Sequence, residues 1–292
     1  MSLVLALLLQ VGPDPLGGAM PNDDLVRDRP PRAEAHGETE QEILNPTSAW
    51  LQSCLDQIGE DPARAHTMAQ IRRSETTGAE RVLANHCLGT AASALGLWDD
   101  ARSAFIAAHD ETPADETRAR ARFTMMAGNA ALAGGDAASA ADLLAQASDE
   151  ARTAASAPLQ ALAAIDRARA LVTLGQGDDA LAALETATGL APEVSEGWLL
   201  KATLLRRLER LEEAQTAIET AAKLAPTNPE IGLEAGVIAV LAGRDAAARQ
   251  SWQSVIELQP DSLAAATARD YLAQLGPPAA DPPAPAQQEP PA

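Results

Sequence analysis

The chain has 292 residues and a formal charge of −19, from 41 acidic against 22 basic side chains. Such a surface repels phosphate backbones and argues against nucleic acid as a partner. Hydrophobic residues make up 46%, mostly the strong helix formers Ala and Leu, while aromatics reach only 2%; this excludes a β-sandwich, which draws on β-branched and aromatic residues, and predicts an all-α fold.

At the N-terminus, Ser2–Leu9 (SLVLALLL) is too short to cross a bilayer, which takes roughly 20 residues, so no integral membrane span is expected. Its length, with the small residues Gly17, Gly18 and Ala19 behind it, predicts a secretory signal over residues 1–19 and a periplasmic or secreted protein. No Lys or Arg precedes the run, and the alternative is an uncleaved N-terminus on a cytoplasmic protein. Residues 20–46 are rich in Pro, Gly, Asp and Arg without a hydrophobic period, and read as a disordered linker. Ser48–Ile58 and Ala63–Arg73 then read as a degenerate helix pair.

Beyond this point the chain is periodic. Pro192, Pro226 and Pro260 recur at equal intervals, and setting each at position 32 defines the consecutive units 161–194, 195–228 and 229–262. The same frame fits 82–115 and 121–154, with short insertions at 116–120 and 155–160. Position 20 is Ala101, Ala140, Ala180, Ala214 and Ala248. Position 8 is small (Gly89, Gly128, Ala168, Ala202, Gly236), and position 24 is large (Phe105, Leu144, Leu184, Ile218, Trp252). Gly96, Gly135, Gly175 and Gly243 at position 15 end a first helix, since glycine takes the left-handed conformation at little cost. The prolines end a second helix, which their ring cannot continue; Arg152 stands in their place in unit 121–154. Each unit is therefore two antiparallel helices that bury their apolar face only by stacking. Leu263–Leu275, with Leu263, Tyr271, Leu272 and Leu275, reads as a capping helix, giving one solenoid over 47–276; the Pro-rich residues 277–292 are expected to be a disordered tail.

The pattern resembles the tetratricopeptide repeat family, with Trp198 at position 4 of its unit, Ala at position 20, and Ala at position 27 except for Val255. It departs at position 11, where Ala92, Ala131, Leu171, Leu205 and Ala239 replace Tyr. The resemblance implies a right-handed superhelical solenoid that binds a protein or peptide partner along its first helices. Positions 2, 5, 9, 12 and 13 would face that groove: Arg122, Met125, Asn129, Ile165, Arg169, Leu199, Thr203, Arg206, Arg207, Glu230 and Leu233. Arg169, Arg206 and Arg207 make a basic stretch in an acidic protein, suited to an acidic anchor on an extended or helical segment. The alternative is that these arginines pair with neighbouring acids. One subclass of the family clamps acidic chaperone tails with Lys and Asn at positions 5, 6 and 9; only Asn129 matches.

Cys54 and Cys87 are separated by nearly one repeat. In an exported protein they predict one disulfide, and in a cytoplasmic one two buried thiols. No CxxC or HxxxH spacing points to a metal, and no GxSxG, HExxH or glycine-rich phosphate loop points to catalysis. Neither a cofactor nor a small-molecule substrate is expected, and the chain reads as a binding protein and not an enzyme: an envelope assembly or accessory factor if exported, a regulatory or accessory subunit of an enzyme complex if cytoplasmic.

Overall fold

The computed structural model describes residues 46–277. The expected signal, most of the linker and nearly all of the Pro-rich tail lie outside the described residues. Thirteen α-helices and no strands make up the described chain, which is a solenoid of helix-pair repeats. By compactness the chain divides between Leu190 and Ala191.

The first unit holds α1 (Pro46–Glu60), α2 (Pro62–Glu75), α3 (Ala79–Ala94), α4 (Trp98–Glu111), α5 (Thr117–Ala133), α6 (Ala137–Thr153), α7 (Ala157–Thr173) and α8 (Gly177–Leu190). The second holds α9 (Ser195–Arg207), α10 (Leu211–Leu224), α11 (Pro229–Leu241), α12 (Asp245–Leu258) and α13 (Leu263–Leu275). Within each unit every helix packs on the next in sequence, and first helices also touch alternate neighbours, as α5 does α7 and α11 does both α9 and α13. The two insertions do not form separate loops. They extend α5 and α7 at their N-terminal ends to 17 residues each.

The packing follows from side-chain size. All five alanines at position 20 are fully buried, so the two helices of a pair approach to backbone contact there. Positions 8 and 24 meet inside each pair. A Cβ placed on Gly89 would stand 2.6 Å from the Phe105 ring, and one on Gly128 would stand 2.7 Å from Leu144 Cγ. Where the large residue is Leu184 or Ile218, position 8 accommodates the extra methyl of Ala168 or Ala202.

First helices end in a repeated hydrogen-bond pattern: the N–H groups of Leu97, Asp136, Gln176, Arg210 and Arg244 reach back to the carbonyls of Ala92, Ala131, Leu171, Leu205 and Ala239. The residue just before each donor is left-handed. It is glycine in four units, but Glu209, at φ 61°, takes that conformation in the fourth repeat. Pro113, Pro192, Pro226 and Pro260 each fall on the second residue past their helix. Arg152 needs no proline beside it, because α6 runs on to Thr153 and closes through left-handed Ala155 and a bond from Ser156 N to Ala151 O.

At the front, Cys54 of α1 and Cys87 of α3 are joined by a disulfide with their Cα atoms 6.3 Å apart, packed among Ala65, Ala69, Leu88, Ala91 and Ala104. At the far end, α13 lies on Trp252 and Val255 through Ala265 and Ala268, with Tyr271, Leu272 and Leu275 alongside. Leu263 takes no part in this cover. It sits at the start of the helix, 85% exposed.

Candidate functional site

The first helices of the repeats carry the polar side chains that packing leaves over, and each compact unit has its own set. In the first unit His86 of α3 meets Phe123 of α5 edge-on, ring centroids 5.4 Å apart. Burial, and then the nearby Arg122 guanidinium, hold the imidazole below its ordinary value of 6.5. Farther along, Asn129 Nδ2 donates to Asp166 Oδ2 at 2.9 Å, linking α5 to α7. Asp166 also pairs with Arg169 one turn on. In the second unit Arg206 of α9 pairs with Glu234 of α11, Nε to Oε1 at 2.6 Å, their side chains only 11% and 12% exposed. Burial raises the Tyr271 phenol above its ordinary value, and the Arg206 and Glu234 charges act on it in opposite directions.

Three of the residues expected to line the groove are core instead. Ile165, Leu199 and Leu233 at position 5 are 2%, 7% and 8% exposed. Met125, also at position 5, packs half-buried against Ala121, Ala151 and Leu159. The reason is the stacking itself: a first helix packs against more than its own partner, as α7 does against α5 and α6 besides α8, and α11 against α9, α10 and α13 besides α12, which leaves only a narrow stripe outward. Asn129, Thr203 and the paired arginines lie part-way out on that stripe, and Arg122, Arg207 and Glu230 are exposed. Glu230 also sits in the first turn of α11, where the helix dipole favours a carboxylate.

Two of the three arginines thought to await an acidic anchor already face carboxylates, Arg169 with Asp166 and Arg206 with Glu234. Sequence reasoning missed both partners. Asp166 and Glu234 each occupy position 6 of their unit, and that shared position beside an earlier unit's polar residue was the available signal.

A second polar cluster fastens α4, α5 and α6. His109 places Nδ1 2.8 Å from Asp110 and Nε2 2.9 Å from Glu150. Glu150 also accepts from Thr124 at 2.8 Å and Gln146 at 2.9 Å, while Arg120 donates to the carbonyls of His109 and Thr112. With its acceptors occupied on three helices, this network braces the packing. Among the described residues no group of three or more His, Cys, Asp or Glu converges as a metal site, and no helix is long and apolar enough to cross a membrane.

A tetratricopeptide-repeat family model matches residues 165–229 and 199–262. No curated protein matches the chain in sequence. Among solved structures the chain is similar to Pseudomonas aeruginosa pilF at 15% identity and TM-score 0.59, covering 77% of this chain and 97% of that one. It is similar also to BtubC (BKLC) from P. vanneervenii at 15% identity and TM-score 0.56, covering 74% and 92%. MamA from Desulfovibrio magneticus RS-1 aligns at 17% identity and TM-score 0.53 over 64% and 100%. At these identities the likeness is one of fold. The repeat frame, the matched segment and the shared architecture agree: residues 165–262 are tetratricopeptide repeats, and the described chain shares the all-α solenoid fold of such proteins.

Proposed function

We propose that this chain is a non-catalytic interaction scaffold that holds a protein or peptide partner on the outward stripes of its first helices. The observation that carries the reading is the division of labour along those helices. Positions 5, 8 and 11 are spent on packing, whereas Arg122, Asn129, Thr203 and Arg207 stay at least part-exposed on elements held rigid by their neighbours. With Arg169 and Arg206 neutralised by Asp166 and Glu234, the cations left to meet an acidic anchor are Arg122 in the first unit and Arg207 in the second.

The test is a photo-crosslinking residue placed in turn at Arg122, at Arg207 and at exposed Asp142 on α6, in the native cell. A discrete crosslinked partner from the first two sites and not from Asp142 is expected. Equal labelling from all three, or none, would sink the scaffold reading. Charge reversal by Arg122→Glu or Arg207→Glu should cut recovery of that partner at least tenfold.

The same proposal places the protein in the bacterial envelope as an assembly or accessory factor. What supports this is the apolar run Ser2–Leu9 with Gly17, Gly18 and Ala19, together with the Cys54–Cys87 bond. Intact mass from the native cell, before and after reduction and alkylation, tests it. A full-length chain with two free thiols would move the partner search to cytoplasmic enzyme complexes.

A further inference from the structure

Position 4 varies widely in size along the frame: Asn85, Thr124, Ala164, Trp198 and Gly232. The last two belong to consecutive repeats of the second unit. The Trp198 indole donates from Nε1 to the Pro192 carbonyl at 2.9 Å, and Lys201 Nζ stands 5.5 Å from the ring centroid. A step of one repeat carries Pro192 to Pro226, Trp198 to Gly232, Lys201 to Ala235 and Ala221 to Val255. All four of these later residues line one cavity of about 240 Å³, bounded by the end of α10, the start of α11 and α12. Val255 fills the inner part of the vacated space, since a Cβ on Gly232 would stand 2.5 Å from its Cγ2. The outer part stays open, with Ser251 inside it and Leu258, 55% exposed, on its rim.

We propose that this cavity is an anchor pocket for an aromatic side chain, a tryptophan indole first, presented by a protein partner. The chain's own previous repeat sets the shape of the guest, because an indole lies at the corresponding place there. The volume is below the roughly 300 Å³ at which pockets for whole small molecules begin, and suits one side chain. The lining includes Pro226, counterpart of the residue whose carbonyl holds Trp198, and serine hydroxyls able to accept an indole N–H. The chain's 4 Trp, 2 Phe and 1 Tyr all lie within residues 50–271, and neither residues 1–45 nor 278–292 contain one. Interfaces draw most of their affinity from such seated aromatic anchors. The pocket shares no residue with the first-helix stripe, so it stands or falls independently of the partner held there.

The experiment is a titration of the full ¹⁵N-labelled chain with a five-residue peptide, Ser-Gly-Trp-Gly-Ser, blocked at both ends, against its leucine counterpart and free indole. The tryptophan peptide should shift the amides of Gly232, Ser251 and Ser254 saturably, with a dissociation constant on the order of 1 mM for a single ring. The leucine peptide should bind at least tenfold more weakly. The double variant Gly232→Trp with Val255→Ala, which restores the preceding repeat's arrangement, should abolish the shifts. Ala235→Leu, which narrows the mouth without entering the core, should weaken binding at least tenfold and covers the case in which the double variant does not fold. Absence of saturable shifts at these amides, equal binding of the leucine peptide, or undiminished binding by either folded variant would overturn the pocket. Binding of indole without the peptide would overturn its assignment to a protein partner.

Discussion

The tightest steric statement in the structure concerns Gly236. A methyl group there would lie 2.0 Å from Trp252 Nε1 and 2.4 Å from Cε2. Ordinary contact begins near 3.4 Å, so the indole would have to retreat by most of a bond length. It has nowhere to go: Trp252 is buried against Leu233, Val255 and Ala268, and its Nε1 donates to Leu233 O at 3.1 Å. Gly236→Ala therefore overpacks the core, at about 1–3 kcal/mol, and strains a buried hydrogen bond whose loss costs about 1–3 kcal/mol. The gain in helix propensity offsets about 0.5–1 kcal/mol of this, leaving a net destabilisation of roughly 1–5 kcal/mol. Gly189→Ala in α8 is the control, because nothing lies within 4 Å of its Cβ; it should stabilise by about 0.5–1 kcal/mol. Urea unfolding followed by far-UV circular dichroism gives the difference. Hydrogen exchange of the α11–α13 amides localises it, which matters in a repeat array that need not unfold in one step. The pair Ala168 and Leu184 shows that the frame can hold alanine at position 8 opposite a leucine at position 24. Gly236→Ala combined with Trp252→Leu should therefore show a favourable coupling of at least about 1 kcal/mol. If Gly236→Ala stabilises the protein as Gly189→Ala does, contact between positions 8 and 24 is not what spaces the two helices.

Replacing Cys54 and Cys87 by Ala should cost roughly 3–4 kcal/mol, from the loop their bond closes, with faster hydrogen exchange concentrated in α1. Unchanged exchange in α1 would mean that the helix is held by packing alone. Glu234→Ala strands the Arg206 guanidinium and should destabilise by about 3 kcal/mol, the low end for a buried pair because each side chain keeps about a tenth of its surface. Replacing both partners by Leu should cost less than either single change in the same urea titration. His86 titrates below 6.5 in the folded state, so below that pH the unfolded chain takes up a proton that the folded chain refuses. Its contribution is flat above pH 6.5, and stability falls as pH drops from there towards the folded value. His86→Leu should flatten that part of the pH dependence between pH 7 and 5, and an identical slope in the variant would refute the assignment.

The fold was legible where one residue answers to one local requirement. Alanine at position 20 and the left-handed residue at position 15 report a backbone contact and a turn inside a single repeat; the alanine recurs in every repeat, and the turn persists even where Glu209 replaces glycine. Pro226 and Pro260 mark helix ends for the same reason. The site was less legible because its contacts join different repeats. Whether Arg206 points to solvent or to Glu234 depends on the stagger of α9 against α11, which no single repeat encodes. The burial of Ile165, Leu199 and Leu233 has the same origin, in contacts a first helix makes beyond its own pair, α7 with α5 and α6, α9 with α11, and α11 with α9, α10 and α13.

This distinction separates residues that hold the scaffold from residues free to choose a partner. Positions 8, 20, 24 and 27 answer to each other within a pair, so changing one demands a matching change, as Gly236 does for Trp252. Position 4 is tied more loosely. Between the fourth and fifth repeats it goes from Trp198 to Gly232, while around it Val255 replaces Ala221, Ile231 replaces Gly197 and Ser251 replaces Ala217. These gains are smaller than the loss of an indole together with the side chain of Lys201, replaced by Ala235, so the exchange does not balance in volume, and the shortfall appears as the open cavity beside Gly232. Water can enter a gap that reaches the surface, so it escapes the roughly 24 cal/mol per Å³ that an empty buried cavity would cost. An opening that reaches the surface, rimmed by an exposed leucine, is what a seat for an outside ring requires.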